Sequence, residues 1–279
     1  MKPIHISAFA EGAEGGNPAG VWIGDRLPAP AEMQAIAAEI GYSETVFAMP
    51  ANEGWKVRYY APQGEVAFCG HATIALGAAL GRQEGSGVFA LALRDNQITV
   101  QARVDGENVQ AALQSPSTWS KPLEATLTDQ VLGHFGLKRD DLDLRLPPTL
   151  AFAGVRHAVL TLSDRAALAA MAYDFDEVRA VMSAHDLTTI SLLHIEGPRA
   201  FSSRNAFASG GVIEDPATGA AAAALGGMLV DLDWDGLQAG GRFEIAQGVD
   251  MGMASRIGVD VSGTPGDSVR VSGAARWMS

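Results

Sequence analysis

The most constraining feature of this sequence is a helix-forming segment of small residues that occurs twice. Residues 70–80 read GHATIALGAAL and residues 219–229 read GAAAAALGGML. Neither segment carries the Glu, Lys or Arg that a surface helix places on its solvent face, so both are expected to be buried on all sides. The alternative, a tolerated alanine-rich surface helix, stays open at this point. The matching positions are Gly70/Gly219, Ala72/Ala221, Ala75/Ala224, Leu76/Leu225, Gly77/Gly226 and Leu80/Leu229.

The sequence around each segment repeats in the same order, which indicates an internal duplication. A strand-like stretch with an arginine, Arg58 in RYYAP and Arg204 in SRNAF, precedes each small-residue helix, and further strand-like stretches follow it. A period of about half the chain is too long for a solenoid repeat. We therefore predict an α+β fold of two lobes related by a pseudo-twofold axis. Each lobe would be a curved, mostly antiparallel sheet wrapped around its central buried helix.

The predicted lobes are residues 1–117 and 122–265. For the last strand, about 266–279, pairing within the first lobe stays open. The stretch 115–122, SPSTWSKP, is the expected linker because it has Pro and Ser and little periodicity. The first small-residue helix is expected to end near Gly81, since glycine favours a helix end.

Charge and composition argue against several classes of protein. A net charge of −12 on 279 residues argues against nucleic acid and anionic membranes as partners. A single cysteine rules out an intrachain disulfide and, with no recognisable signal peptide, leads us to expect a cytoplasmic protein. The chain lacks zinc-protease histidine spacing, a phosphate-binding loop, a dinucleotide-binding motif and a nucleophile elbow. We therefore expect no protein-ligated metal.

The starts of the two small-residue helices are the expected place for chemistry. A helix N-terminus presents unpaired N–H groups and a partial positive charge, so two such starts facing one cleft would bind an anion such as a substrate carboxylate. The polar residues of these regions are His71, Glu214, Asp215 and Thr218. A further candidate, Glu44, lies in the strand-like apolar stretch GYSETVFAM, where burial would raise the pKa of its carboxyl towards that of a general base.

Each candidate also has a plain structural interpretation. A lone glutamate in a strand, such as Glu44, is more often a solvated edge residue, and Asp215 beside a proline is a turn or cap residue. His71 would then make only local hydrogen bonds, Asn17 would lie in a turn, and Cys69 would be a buried structural thiol.

Five motifs of the chain resemble the phenazine-biosynthesis isomerase family, often called PhzF-like, within the diaminopimelate-epimerase fold. They are GNPAGV (16–21), SETVF (43–47), FCGHAT (68–73), EDPATG (214–219) and QGVDMGMASRI (247–257), in the family's order and spacing over nearly the whole chain.

The resemblance implies an active site between two lobes and a cofactor-independent, metal-free isomerase that moves a proton on a small carboxylate-bearing substrate. It implies that Glu44 is the general acid/base, with His71 and Asp215 as polar partners. A homodimer is also expected. The substrate-binding positions implied by the resemblance are Asn17, Gly70, Gly219 and Ala220.

Two departures from related enzymes bear on the chemistry. The family's phenazine enzyme has Ser after DPATG, where this chain has Ala220, so a hydroxyl at the helix start is missing. Related racemases and epimerases use two opposed cysteines, whereas the second half of this chain offers Ala217 and Thr218 opposite Cys69. A two-thiol mechanism is therefore excluded. The alternatives to an isomerase are an epimerase or racemase acting on a small acid, and a small-molecule-binding protein without turnover.

Overall fold

A computed structural model describes residues 2–94 and 97–278 of the chain. The chain forms two compact units, one of Met1–Gln114 with Ser272–Ser279 and one of Ser115–Val271. Strands and helices are mixed throughout, which confirms the predicted α+β class. Among the described residues, no helix has both the length and the apolar character needed to cross a membrane.

The first ten elements along the chain are β1 (Ile4–Ala8), β2 (Asn17–Ile23), α1 (Pro30–Ile40), β3 (Thr45–Ala51), β4 (Gly54–Ala61), β5 (Gly64–Val66), α2 (Gly70–Glu84), β6 (Gly87–Ala92), β7 (Gln97–Asp105) and β8 (Asn108–Ser117). The later elements are β9 (Trp119–Pro122), α3 (Ala125–His134), β10 (Thr149–Phe152), β11 (Arg156–Leu162), α4 (Arg165–Ala169), α5 (Phe175–Ala184), β12 (Thr189–Gly197), β13 (Ala200–Ala206), β14 (Glu214–Asp215), α6 (Gly219–Asp231), β15 (Gly241–Gln247), β16 (Ser255–Val261) and β17 (Ser268–Trp277). Three short 3₁₀ turns lie at Arg139–Asp141, Ala208–Gly210 and Val249–Met251.

The same topology occurs in both units. Most neighbouring strands are antiparallel, but β2 pairs in parallel with β3 across α1, and β4 pairs in parallel with β6 across α2. In the second unit β11 pairs in parallel with β12 across α4 and α5, and β13 pairs in parallel with β15 across α6. Parallel partners require a crossover connection, which these helices supply. The repeated order of pairs agrees with the internal duplication read from the sequence.

Helix α2 is enclosed by strands of its own unit. Every residue from His71 to Gly81 is buried. A Cβ atom added at Gly77 would lie 2.4 Å from Cγ2 of Val100, and one at Gly81 would lie 2.5 Å from Cβ of Ala102. Both glycines therefore allow β7 to approach the helix closely. The prediction that the helix ends near Gly81 is wrong, because it continues to Glu84 and ends before Gly85, where φ is +92°.

Helix α6 is the corresponding helix of the second unit. Gly219 and all residues from Ala221 to Val230 are buried. A Cβ atom added at Gly226 would lie 2.9 Å from Cγ1 of Val269 and 3.0 Å from Cγ1 of Val259. Both small-residue helices are thus internal, and the surface-helix alternative is wrong.

The stretch 115–122 is strand rather than a linker. It contains the end of β8 and the whole of β9, which pairs with β10. The ring of Trp119 stacks on that of Phe152 with centroids 5.1 Å apart. Pro and Ser in this stretch are compatible with a strand because aromatic packing and ladder hydrogen bonds outweigh local propensity.

A separate apolar cluster in the first unit holds α1 against β2, β3 and β4. Met33 and Ala37 of α1 pack against Trp22 of β2, Phe47 of β3 and Tyr60 of β4. Pro30 occupies the first turn of α1, and Gly41 ends it in the left-handed conformation. This packing sets the position at which the chain enters β3.

Candidate active site

Glu44 and His71 form a close pair in the first unit. Glu44 immediately precedes β3, and its carbonyl oxygen accepts a hydrogen bond from the amide of Gly20 at 3.3 Å. Its carboxylate Oε2 lies 3.5 Å from Nε2 of His71, and the two side chains are 15% and 6% exposed. The Ser43 hydroxyl lies 3.4 Å from the same ring nitrogen. A largely shielded carboxylate beside an imidazole is suited to proton transfer.

Cys69 completes this group at the start of α2. Its Sγ lies 3.3 Å from Nδ1 of His71, and its carbonyl oxygen accepts hydrogen bonds from the amide and hydroxyl of Thr73 at 3.0 and 2.7 Å. Thr73 Oγ1 is in turn 2.7 Å from the Tyr59 hydroxyl, and burial raises the pKa of Tyr59. The first turn of α2 is therefore anchored to β4.

A different hydrogen-bond network surrounds the start of α6 in the second unit. The Thr218 hydroxyl donates to Oδ2 of Asp215 at 2.5 Å. The Gln247 amide donates to the Asp215 carbonyl oxygen at 2.7 Å and to the Thr218 hydroxyl at 3.0 Å. Gln247 also accepts from the Thr218 amide at 3.3 Å. Asp215 and Gln247 are 7% and 1% exposed, so this network is internal.

The four remaining predicted positions lie at or near the starts of structural elements. Asn17 is the first residue of β2, paired with Ala8 and 2% exposed, so the interpretation of Asn17 as a plain turn residue is wrong. Gly70 and Gly219 are the first residues of α2 and α6, and Ala220 is the second residue of α6. Substrate binding at these four positions stays a prediction.

Glu214 is paired with Arg204 in the second unit. Its carboxylate is held by the Arg204 guanidinium, with Nε 3.0 Å from Oε1, and the side chains of Arg204 and Glu214 are 11% and 5% exposed. Hydrogen bonding to Glu214 raises the pKa of Arg204. In the first unit Arg58 forms a similar pair with Glu65, and both of those side chains are 23% exposed.

The structure therefore brings Glu44 and His71 together in the first unit and gives Asp215 its partners within the second. Gln247 was not predicted as a site residue. Its only signal was its place at the head of the QGVDMGMASRI motif, because its partners Asp215 and Thr218 lie about 30 residues earlier in the chain. Within the described ranges 2–94 and 97–278, the group of side chains able to hold a metal ion is Glu44, Cys69 and His71.

Comparisons with known proteins identify the family and the enzyme class. Residues 6–279 match the family model PhzC-PhzF, described as phenazine biosynthesis-like protein. The trans-2,3-dihydro-3-hydroxyanthranilate isomerase of Pseudomonas chlororaphis is 32% identical over 275 residues, which cover 96% of this chain and 93% of that protein. The uncharacterized isomerase YddE of Escherichia coli O157:H7 is 29% identical over 82% of this chain and 80% of its own length.

A solved structure shows the same fold. The Bacillus anthracis phenazine biosynthesis protein of the PhzF family superposes with a TM-score of 0.88 at 21% identity, covering 100% of this chain and 98% of that one. The family match extends over nearly the whole sequence, and the curated relatives above are named isomerases. This chain therefore belongs to the phenazine biosynthesis-like protein family, and its enzyme class is isomerase.

Proposed function

We propose that this isomerase moves a proton between two carbon atoms of a small carboxylate-bearing molecule, with Glu44 as the general acid/base. The observation that carries the proposal is the Glu44 carboxylate, 15% exposed and 3.5 Å from Nε2 of His71. A base that abstracts a proton from carbon must be held near the substrate and shielded from water.

The proposed step is a proton shift through an unsaturated system, without a change of oxidation state. The Glu44 carboxylate takes a proton from one carbon, and the bonding electron pair spreads into the adjacent unsaturated system. The same carboxylic acid then returns the proton to another carbon of that system. His71, with Nε2 3.5 Å from the carboxylate, would hold it in place through both halves of the reaction. Ser43, whose hydroxyl lies 3.4 Å from the same ring nitrogen, would orient the imidazole.

Recognition of the carboxylate would come from backbone amides at helix starts. Gly70 and Gly219 begin α2 and α6, and a helix N-terminus favours a negative charge on its ligand. The curated relative from Pseudomonas chlororaphis is named for trans-2,3-dihydro-3-hydroxyanthranilate, an unsaturated acid. We propose a substrate of this chemical class. Ala220 offers no hydroxyl at the start of α6. The substrate group that contacts this position would therefore differ from the group that meets the serine of the phenazine enzyme.

Deuterium exchange tests the role of Glu44 directly. The probe is trans-2,3-dihydro-3-hydroxyanthranilate in D₂O, followed by proton NMR with the full-length chain. We expect the wild type to move solvent deuterium into the product and Glu44→Gln to lose this rate by about 100-fold or more, because the amide cannot take the proton. The substrate proposal is wrong if the wild type neither turns over nor labels this acid.

Glu177→Gln is the matched control. Glu177 also lies beside a histidine, with Oε2 3.1 Å from Nδ1 of His134, but its side chain is 65% exposed. We expect this variant to retain wild-type exchange. The opposite pattern, with Glu44→Gln active and Cys69→Ser inactive, would replace the carboxylate mechanism with a thiol mechanism.

A further inference from the structure

A small internal cavity of the second unit lies between the first turns of α6 and the strands that pack against them. Ala221 and Ala222 of α6 line one side of it. It has about 10 Å³ of room for the centre of a water-sized group. That is enough for one amino, hydroxyl or water and for nothing larger. The polar residues that line it come from β12, β13 and β15, and all are 6% exposed or less: Ser191, Ser203, Asn205 and Gln247.

The strand register brings these polar residues onto one face of the sheet. Asn205 lies opposite Ser191 of β12 and opposite Asp215 of β14. Ser203 lies opposite Gln247 of β15. Residues opposite each other in neighbouring strands share a face, and so do residues two apart on one strand. The cavity therefore adjoins the network of Asp215, Thr218 and Gln247 without being part of it.

The amides at this cavity favour a ligand that donates a hydrogen bond. Oδ1 of Asn205 is buried and has no hydrogen-bond partner among the described residues. The Gln247 amide nitrogen already donates to the Asp215 carbonyl oxygen and the Thr218 hydroxyl, so Gln247 has only acceptor capacity left, on its oxygen. A buried acceptor without a donor is unfavourable, so an N–H or O–H group placed here would be bound.

We propose that this cavity is a substrate subsite for one amino or hydroxyl substituent, and that Asn205 accepts its hydrogen bond. The proposal rests on the proposed function, which places the substrate carboxylate at the start of α6. Ala221 and Ala222 follow Gly219 within the same helical turn. The substituent is therefore assigned to the carbon next to the one that bears the carboxylate. Asn205 thus makes the site selective for small acids with a donor beside the carboxylate.

Two aromatic acids of matched shape test the subsite without turnover. Anthranilate has an amino group beside its carboxylate, and 2-methylbenzoate has a methyl group in the same place that cannot donate. Isothermal titration calorimetry with the full-length chain measures the affinity for each. We expect the wild type to bind anthranilate about 5-fold more tightly, which is the usual net effect of one hydrogen bond.

Variants of β13 assign that preference to the cavity. Asn205→Leu keeps a side chain of similar size but removes the acceptor, so it should bind anthranilate no more tightly than 2-methylbenzoate. Ser203→Ala is the milder change and should lower the preference about 2-fold. Ser202→Ala is the matched control, because Ser202 neighbours Ser203 on β13 but its hydroxyl donates to Glu196 at 2.7 Å. It should keep the wild-type preference. Circular dichroism verifies that each variant is folded.

The outcomes separate the subsite from the proposed function. Equal affinity of the wild type for the two acids would mean that the cavity holds only solvent, and this overturns the subsite. Absence of anthranilate binding also overturns it, as does a preference that survives in both Asn205→Leu and Ser203→Ala. If Glu44→Gln keeps full deuterium exchange, the proposed function fails while the binding preference still decides the subsite. If the preference is absent, the Glu44→Gln result stands.

Discussion

The starts of α2 and α6 have a common backbone plan but different side-chain chemistry. At α2 the neighbouring groups are a carboxylate, an imidazole and a thiol, all of which can exchange protons. At α6 the Asp215 carboxylate is held by the Thr218 hydroxyl, and the Gln247 amide bonds the backbone beside it. Duplication thus supplied two similar frameworks. Under the proposed function, the start of α2 moves a proton, while the groups at the start of α6 are held by hydrogen bonds to one another.

The arginine–glutamate pairs give the sharpest test of how differently the two units bury charge. Arg204→Met leaves Glu214 charged and 5% exposed, and we expect unfolding free energy to fall by about 3–5 kcal/mol. Arg58→Met leaves Glu65 at 23% exposure, and we expect a loss of only about 1 kcal/mol. Urea unfolding of both variants measures the difference, and equal losses would contradict it.

Substitution of the paired glycines compares how tightly the two helices are enclosed. Gly77→Ala places Cβ 2.4 Å from Val100, whereas Gly226→Ala places it 2.9 Å from Val269. We expect losses of about 2 and about 1 kcal/mol in unfolding free energy, since overpacking a filled core costs about 1–3 kcal/mol. Gly133→Ala is the control, because it lies in α3 with no atom within 4 Å of the added Cβ. It should stabilise by up to about 1 kcal/mol through helix propensity.

A buried histidine of the second unit predicts a pH effect on stability. Burial lowers the pKa of His157 from 6.5 to about 3. Below pH 6.5 the unfolded chain binds this proton and the folded chain does not, so stability is lost as pH falls from 6.5 towards 3. Between pH 6.5 and 5 the loss is about 1.5 kcal/mol.

His157→Gln removes this titration and should flatten that part of the stability profile, as measured by urea unfolding at each pH. The ring Nδ1 is 2.7 Å from the Thr189 hydroxyl, so the variant will also lose some stability at every pH. Only the change in slope bears on the titration. An unchanged slope would show that His157 does not titrate as described.

The hydrogen-bond network at the start of α6 gives a further prediction. Asp215→Asn keeps the shape of the side chain but removes the charge that accepts the Thr218 hydroxyl at 2.5 Å. Loss of a charge-assisted hydrogen bond costs about 1.5–3 kcal/mol. We expect the activation free energy to rise by the lower end of this range, which makes deuterium exchange roughly 10-fold slower. A loss as large as that of Glu44→Gln would mean that Asp215 itself transfers a proton.

The sequence predicted the elements whose pattern is local. Both small-residue helices could be found because each lacks a polar face over three turns, and α1 carries ordinary start and stop signals at Pro30 and Gly41. The end of α2 could not be found, because Gly81 looks like a helix-ending glycine in the sequence. In the structure the helix continues past it, and the missing side chain leaves room for Ala102 on β7. Strand β9 was missed for a similar reason, since its partner Phe152 is 33 residue numbers from Trp119.

The site was predictable only as far as residue type allows. Glu44 stood out as a carboxylate in an apolar strand-like stretch and His71 as a polar group at an apolar helix start, and the family motifs related them to each other. Their separation of 3.5 Å depends on the packing of α1 against β2 and β3, which no local pattern specifies. Gln247 gave no signal of its own, because an amide that satisfies distant backbone groups looks like any surface glutamine in a sequence.

The pairing of β1 with the end of β17 has a consequence for synthesis. Ile6 lies opposite Trp277 in an antiparallel ladder, so one edge of β1 cannot pair during synthesis until residues about 270 positions later have been made. Domains usually fold in the order of translation. Here the second unit is continuous from Ser115 to Val271 and is complete first, although its coding region comes later than most of the first unit. A nascent chain stalled before Ser272 would expose a ready β-strand edge, which is the kind of surface that chaperones and neighbouring nascent chains bind.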